Sequence, residues 1–170
     1  LGNVISDKND DVNVINNLDI PILVTGLKNA VVAASPDGIL VTDKGQSSYI
    51  KPYVDKIEQP VRYAEKSWGS FQVMDVESES ITIKITLNPG HQMNCHSHDH
   101  RDEVWTVIAG SGKTIVDGME QEVSPGDVVT MQAGCRHTLI NTGEDELQVI
   151  EGHLGRDIDV KDKHKYKLEK

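Results

Sequence analysis

The 170 residues carry 17 Lys and Arg against 27 Asp and Glu, a formal charge of −10, a balance that repels a phosphate backbone and excludes nucleic acid as a partner. The length allows one full domain with a small appendage and a proper core. No apolar run approaches the roughly 20 residues of a membrane span, the N-terminus lacks a basic-then-apolar leader, and Cys95 and Cys135 are the only cysteines; a soluble, cytoplasmic protein with no membrane partner and no disulfide framework is expected.

Residues 1–19 are rich in Asn and Asp with isolated Val and Ile, and read as a polar, loop-rich lead. Three apolar runs follow at 22–24, 30–34 and 39–42, separated by Thr25-Gly26 and Ser35-Pro36-Asp37-Gly38, so three small strands are expected. Over 47–57 the apolar positions Ile50, Tyr53, Val54 and Ile57 are spaced as on an amphipathic helix, with Pro52 admissible only in the first turn or at a kink. A linker is placed around Glu58-Gln59-Pro60, which makes 1–60 a strand-and-helix appendage.

Beyond Trp68 the pattern changes to period two or short continuous apolar runs, at 71–76, 81–87, 104–108, 113–116, 128–131, 138–140 and 147–150. Turn chemistry such as Pro89-Gly90, Asp117-Gly118 and Pro125-Gly126-Asp127 separates them. Many short strands with Gly-bearing turns indicate an all-β sandwich or barrel, placed at 61–160. Trp68 and Trp105 belong to its core, and the charged tail at 161–170 is read as an extension or short helix packed outside. No repeat of 20 to 50 residues is visible, which disfavours a solenoid.

Seven histidines stand out in this aromatic-poor chain. His96 and His98 are two apart, so on a strand both rings project from one face and can share a cation. Glu103 lies at an odd offset from His98 and must follow a turn or bulge, for which residues 99–102 supply the polar chemistry. His137 can close the set from a third strand. Three neutral nitrogens and a carboxylate suit zinc, manganese, iron or nickel. His100 alternates in phase with the pair, as an alternative ligand or a substrate contact; His91, His153 and His164 read as structural or surface residues.

These segments resemble the two motifs of the cupin superfamily: Gly90, His96, His98, Glu103 and Gly110, then Gly126, His137 and Asn141, with Gln132 where the second motif usually has Pro. The resemblance implies a jelly-roll β-barrel with a metal in its mouth. Lys66-Ser-Trp-Gly69, the run 83–90, the run 98–105 and Ile150-Glu-Gly-His-Leu-Gly155 are similar, over about 66–160, to a narrower group. This is the mannose-6-phosphate isomerase domain at the C-terminus of bifunctional mannose-1-phosphate guanylyltransferases, the type II phosphomannose isomerases. Residues 26–44 resemble the end of the preceding transferase module, whose Gly-rich signature and catalytic Lys are absent from this chain. Where type II isomerases commonly show Gln-x-His-x-His-Arg, this sequence has His96 in the first place.

The implied activity is conversion of mannose 6-phosphate to fructose 6-phosphate, in precursor metabolism for nucleotide sugars and polysaccharides. It needs a cation at the reacting oxygens, a proton carrier and a phosphate contact. The assignments are a divalent metal, zinc first, on His96, His98, Glu103 and His137; Arg101 for phosphate or developing oxyanion charge; Lys84 as a further substrate contact; and His100 as the proton carrier. The partners expected are a small phosphorylated sugar and a second copy in a homodimer. The alternatives are another cupin metalloenzyme, such as a dioxygenase, and a non-catalytic sugar-binding cupin.

Overall fold

Parallel pairing, absent from the sequence expectations, organises the N-terminal third. The structure is a computed structural model that describes residues 1–57, 61–156, 158 and 162–167, and the chain divides into two compact units, Leu1–Arg62 and Tyr63–Lys170. In the first unit β1 (Val4–Asp7), β2 (Asp10–Asn16), β3 (Ile22–Thr25) and β4 (Lys28–Ser35) precede β5 (Gly38–Asp43). β1 pairs in parallel with β3 and β2 with β4, every residue lying 18 positions from its partner, as in Val4 opposite Ile22 and Asn16 opposite Ala34. β5 folds back antiparallel on β4.

Residues 1–19 are therefore not a loop-rich lead. Their isolated Val residues mark one side of a strand: Val12 and Val14 alternate with exposed neighbours and end at buried Asn16. That side chain satisfies the bend that follows, with Nδ2 donating to the Asn3 and Ile20 carbonyls at 2.9 and 2.8 Å and Oδ1 accepting from the Leu18 N–H at 3.0 Å. Asn9 works similarly, donating to the Val24 carbonyl and accepting from the Leu27 N–H. The helix expected over 47–57 is reduced to a 3₁₀ turn, Ser47–Tyr49, and α1 (Lys51–Val54), because Pro52 lacks the N–H that a longer helix would need and no side chain of α1 is buried. The linker expected around residues 58–60 lies outside the described residues.

The second unit is all β: β6 (Tyr63–Lys66), β7 (Gly69–Val76), β8 (Ser80–Leu87), β9 (His96–Ser97), β10 (Asp102–Ala109), β11 (Gly112–Val116), β12 (Met119–Val123), β13 (Val128–Met131), β14 (His137–Asn141), β15 (Leu147–Leu154) and β16 (His164–Lys165). They form a six-stranded sheet in the order β13-β10-β15-β8-β7-β6 and a five-stranded sheet in the order β12-β11-β14-β9-β16, the jelly roll expected. Asp117 and Gly118, with φ of 47° and 84°, make the two-residue turn that joins β11 to β12. Gly110, at φ +77°, passes so close to β15 that a Cβ there would lie 2.3 Å from the Glu146 carbonyl oxygen. In the tail, where an extension or outside helix is expected, residues 164–165 instead add a strand to the five-stranded sheet.

Ile85, Leu87, Trp105, Val107, Val129, Met131, Leu147 and Val149 from one sheet pack with Met93, Val123 and Leu139 in the core. Each such side chain contributes about 1.5–3 kcal/mol on burial. Along β15 the buried positions run Leu147, Val149, Glu151, His153. One strand face thus passes from apolar to ionisable without leaving the interior, and the candidate site begins at that change. No helix among the described residues is long and apolar enough to cross a membrane.

Candidate metal centre

Both sheets contribute to a buried cluster. His96 on β9 lies directly opposite His137 on β14, and His98 follows immediately after β9. The chain then turns through 99–101, where the odd spacing requires it, and delivers Glu103 on β10 of the other sheet. His96, His98, Glu103 and His137 are each only 1–2% exposed, and one ligand atom from each falls within 4.8 Å of all the others. The closest approaches are Glu103 Oε1 to His98 Nε2 at 2.9 Å, Glu103 Oε2 to His137 Nε2 at 3.2 Å, and His96 Nε2 to His137 Nε2 at 3.2 Å.

The outer nitrogens decide what this geometry means. Each Nδ1 faces a backbone carbonyl: His96 that of Asn94 at 2.7 Å, His137 that of Cys135 at 3.0 Å, and His98 that of Asp162. An Nδ1 that donates leaves Nε2 as the lone-pair atom of a neutral ring. Three such lone pairs and a carboxylate then converge, a set that could hold a cation. The donors fit a divalent first-row ion: three imidazole nitrogens and one carboxylate, each with its outer contact in place.

Electrostatics point the same way. Burial, with the charges of Lys163 and His137, pushes the His96 imidazole down to about 3, against the Asn94 carbonyl and Glu103, which favour its protonated form. That ring is neutral near pH 7, as a ligand must be. Burial alone would raise the Glu103 carboxyl, but the contacts with His137 and His98 and the field of His153 outweigh it and hold it well below the ordinary carboxylate range.

Three more side chains complete the cluster. Arg101, 7% exposed, brings Nη2 to 3.0 Å from His98 Nε2 and Nε to 3.4 Å from Glu103 Oε1. Trp105 is core, as expected, but its indole N–H also donates to Glu103 Oε2 at 3.2 Å, and its ring meets His137 edge to face. His153 Nε2 lies 2.5 Å from Glu151 Oε1 and 3.3 Å from Glu103 Oε1, so it carries the proton and donates between two buried carboxylates. Sequence reasoning left His153 as a structural or surface residue and did not consider Glu151. The signal was parity: continuing the alternation of Leu147 and Val149 two steps further reaches both.

Two expected site residues are not brought to the cluster. The His100 side chain is exposed, and it is its backbone N–H that is engaged, donating to Asp162. Lys84 sits between Ile83 and Ile85, which face the core, and pairs across the sheet with Gln72 and Ile150; strand alternation turns it to the other face. Asn141 is buried and ties down the 142–146 turn, donating to the Leu87 and Asp145 carbonyls and accepting the Gly143 N–H.

Residues 83–153 match the cupin domain family. This stretch is a cupin domain. The fold agrees: a double-stranded β-helix protein from Klebsiella pneumoniae aligns with TM-score 0.53 at 20% identity, over 68% of this chain and 95% of that one. The capsular polysaccharide assembling protein CapF from Staphylococcus aureus aligns with TM-score 0.57 at 19% identity, over 68% and 35% of the two chains. Among curated proteins, the mannose-1-phosphate guanylyltransferase of Escherichia coli (strain K12) is 27% identical over 141 residues, covering 79% of this chain and 30% of the enzyme. Mannose-1-phosphate guanylyltransferase ManC of Salmonella typhimurium is 27% identical over 161 residues, covering 91% and 33%. The cupin-bearing chain thus spans about a third of the length of these relatives.

Proposed function

We propose that the cupin domain is a metal-dependent aldose–ketose isomerase that interconverts mannose 6-phosphate and fructose 6-phosphate. The observation that carries the reading is Arg101 bonded into a buried set of three histidines and one glutamate. A cation and a guanidinium side by side suit a substrate that presents vicinal oxygens and a phosphate. Similarity to the guanylyltransferases supports a sugar phosphate as the substrate class.

A divalent ion held by His96, His98, Glu103 and His137, with zinc the first choice, would polarise the sugar's O1 and O2 as a Lewis acid. The reaction itself moves a proton from C2 to C1 and a hydroxyl hydrogen from O2 to O1, with no external oxidant. Arg101 binds the phosphate or the oxygen that becomes negative, through its fork of donors. In place of His100, the Glu151 carboxylate, which lies against His153 Nε2 in the same buried cluster, would take the proton from C2 and return it to C1. Trp105 keeps Glu103 oriented and helps exclude water.

The test is a coupled assay for fructose 6-phosphate, run on protein reconstituted in turn with zinc, manganese, iron and nickel. Turnover with one or more of these metals is expected. Absence of product with every metal, at confirmed occupancy, refutes the reading, and oxygen uptake by the iron form would replace it with a dioxygenase.

A further inference from the structure

We propose that residues 162–166 are a working part of the metal centre, locking the ligand segment 96–98 in its coordinating orientation. The inference rests on the metal reading above and deepens it.

The three ligand histidines obtain their outer hydrogen bonds in two ways. His96 and His137 each use a carbonyl two residues earlier, in Asn94 and Cys135, which the local chain supplies. His98 uses the carbonyl of Asp162, 64 residues away. A local acceptor comes with the strand, whereas a remote one must be carried in and held.

Several contacts hold it. The Asp162 carboxylate accepts the backbone N–H of Asp99 at 2.9 Å and of His100 at 3.1 Å, which pins residue 162 over the turn that follows His98. These N–H groups, with Arg101 and His100, hold the Asp162 carboxyl below its ordinary value although burial works in the opposite direction. His164 lies opposite Ser97 and Lys165 opposite His96 in the β16–β9 pairing, and the Tyr166 N–H donates to the Cys95 carbonyl at 2.9 Å. The Tyr166 hydroxyl meets Ser97 Oγ at 3.1 Å, and the Arg136 guanidinium stacks 4.2 Å from the Tyr166 ring centroid. His96 is thereby paired on both sides, with His137 of β14 on one and Lys165 of the tail on the other, and Ser97 pairs with His164. Outer partners of this kind fix tautomer and ring orientation, and their loss typically weakens metal binding by about 10–100-fold.

The experiment compares wild type, Asp162→Ala and, as a control, Lys167→Ala, an exposed residue beyond the contacts. Zinc affinity is measured by competition with a chromophoric chelator, ligand geometry by the visible absorption of the cobalt(II) form, and ring tautomers by nitrogen-15 imidazole spectra of the metal-free proteins. Asp162→Ala should bind zinc about 10–100-fold more weakly, with an altered cobalt spectrum and a His98 ring no longer held as the Nδ1–H tautomer, while Lys167→Ala matches wild type. Should the alanine variant fail to fold, Asp162→Asn preserves the side-chain volume and is expected to weaken binding about tenfold. Zinc affinity within threefold of wild type, with an unchanged cobalt spectrum, overturns the inference and leaves the metal reading standing. Failure of wild type to bind either metal overturns both.

Discussion

Removing His137 should abolish the stabilisation that a metal confers while leaving a folded domain. Zinc bound by a four-residue protein site contributes about 10–16 kcal/mol. One ligand in four therefore accounts for about 3 kcal/mol, which is more than 100-fold in affinity. At free zinc 100 times the wild-type dissociation constant, binding stabilises the wild-type fold by about 2.7 kcal/mol. At the same zinc concentration His137→Ala is at most half occupied and gains no more than about 0.4 kcal/mol. For a domain of this size, about 4 °C per kcal/mol converts these to Tm rises of about 11 °C and less than about 2 °C. The substitution also removes a buried ring lying 5.3 Å from Trp105, centroid to centroid, which lowers the Tm of the metal-free variant by itself. The quantity to compare is therefore the zinc-induced rise within each protein, read by differential scanning calorimetry with and without a chelator. An equal rise in wild type and His137→Ala would refute the assignment of this ring to the metal.

Acid should destabilise the metal-free protein from about pH 6.5 downward: His96 titrates near 6.5 unfolded and about 3 folded, so between these values the unfolded chain takes up a proton that the fold refuses. Glu103, held below 4.5 in the fold, adds a loss of the same sign below that pH; melts of chelator-treated protein that stay flat from pH 7.5 to 4.5 would contradict the His96 expectation, and melts flat below 4.5 the Glu103 one. Arg101→Ala should leave metal content intact and lower turnover of mannose 6-phosphate by about 10²–10³-fold; steady-state kinetics at matched occupancy test this, and recovery in Arg101→Lys would indicate a point charge rather than a two-point contact. Asn16→Ala strips two carbonyls and one N–H of their partner and should destabilise the first unit by about 2–3 kcal/mol, seen as faster amide exchange in β2 and β4 with β10 and β15 unchanged. Among the described residues β6 and β13 are the edges of the six-stranded sheet; a dimer is expected in sedimentation at micromolar protein, and a species of 18.7 kDa alone would refute it.

The strands beyond Trp68 were legible because their apolar runs are bounded by turns that demand Gly, as at Asp117-Gly118. The convergence of His96, His98, Glu103 and His137 was legible because parity puts His96 and His98 on one face and makes a turn before Glu103 unavoidable. Parity was equally available on β15 but was carried only as far as residue 150, so Glu151 was not considered and His153 was read as a structural or surface residue. Lys84 had even prospects on local grounds, and the packing of Ile83 and Ile85 into the core settled its direction. The pairing of 164–165 with β9 depends on contacts more than 60 residues apart in sequence, which no local pattern encodes. The parallel coils at the N-terminus were missed for two reasons. Asn residues that look like loop chemistry serve there as fixed bends, and the 18-residue spacing falls below the range searched for repeats.

That spacing sets a rule for how the first unit tolerates changes of length. A parallel ladder in which every partner is 18 residues away keeps both its register and its two faces when material is gained or lost in whole 18-residue coils. A one-residue insertion inside β2 would exchange Val12 and Val14 with their exposed neighbours and displace Asn16 from its bend. Duplicating one complete 18-residue stretch would instead lengthen the stack and reproduce both faces, so this part of the chain is quantised in size.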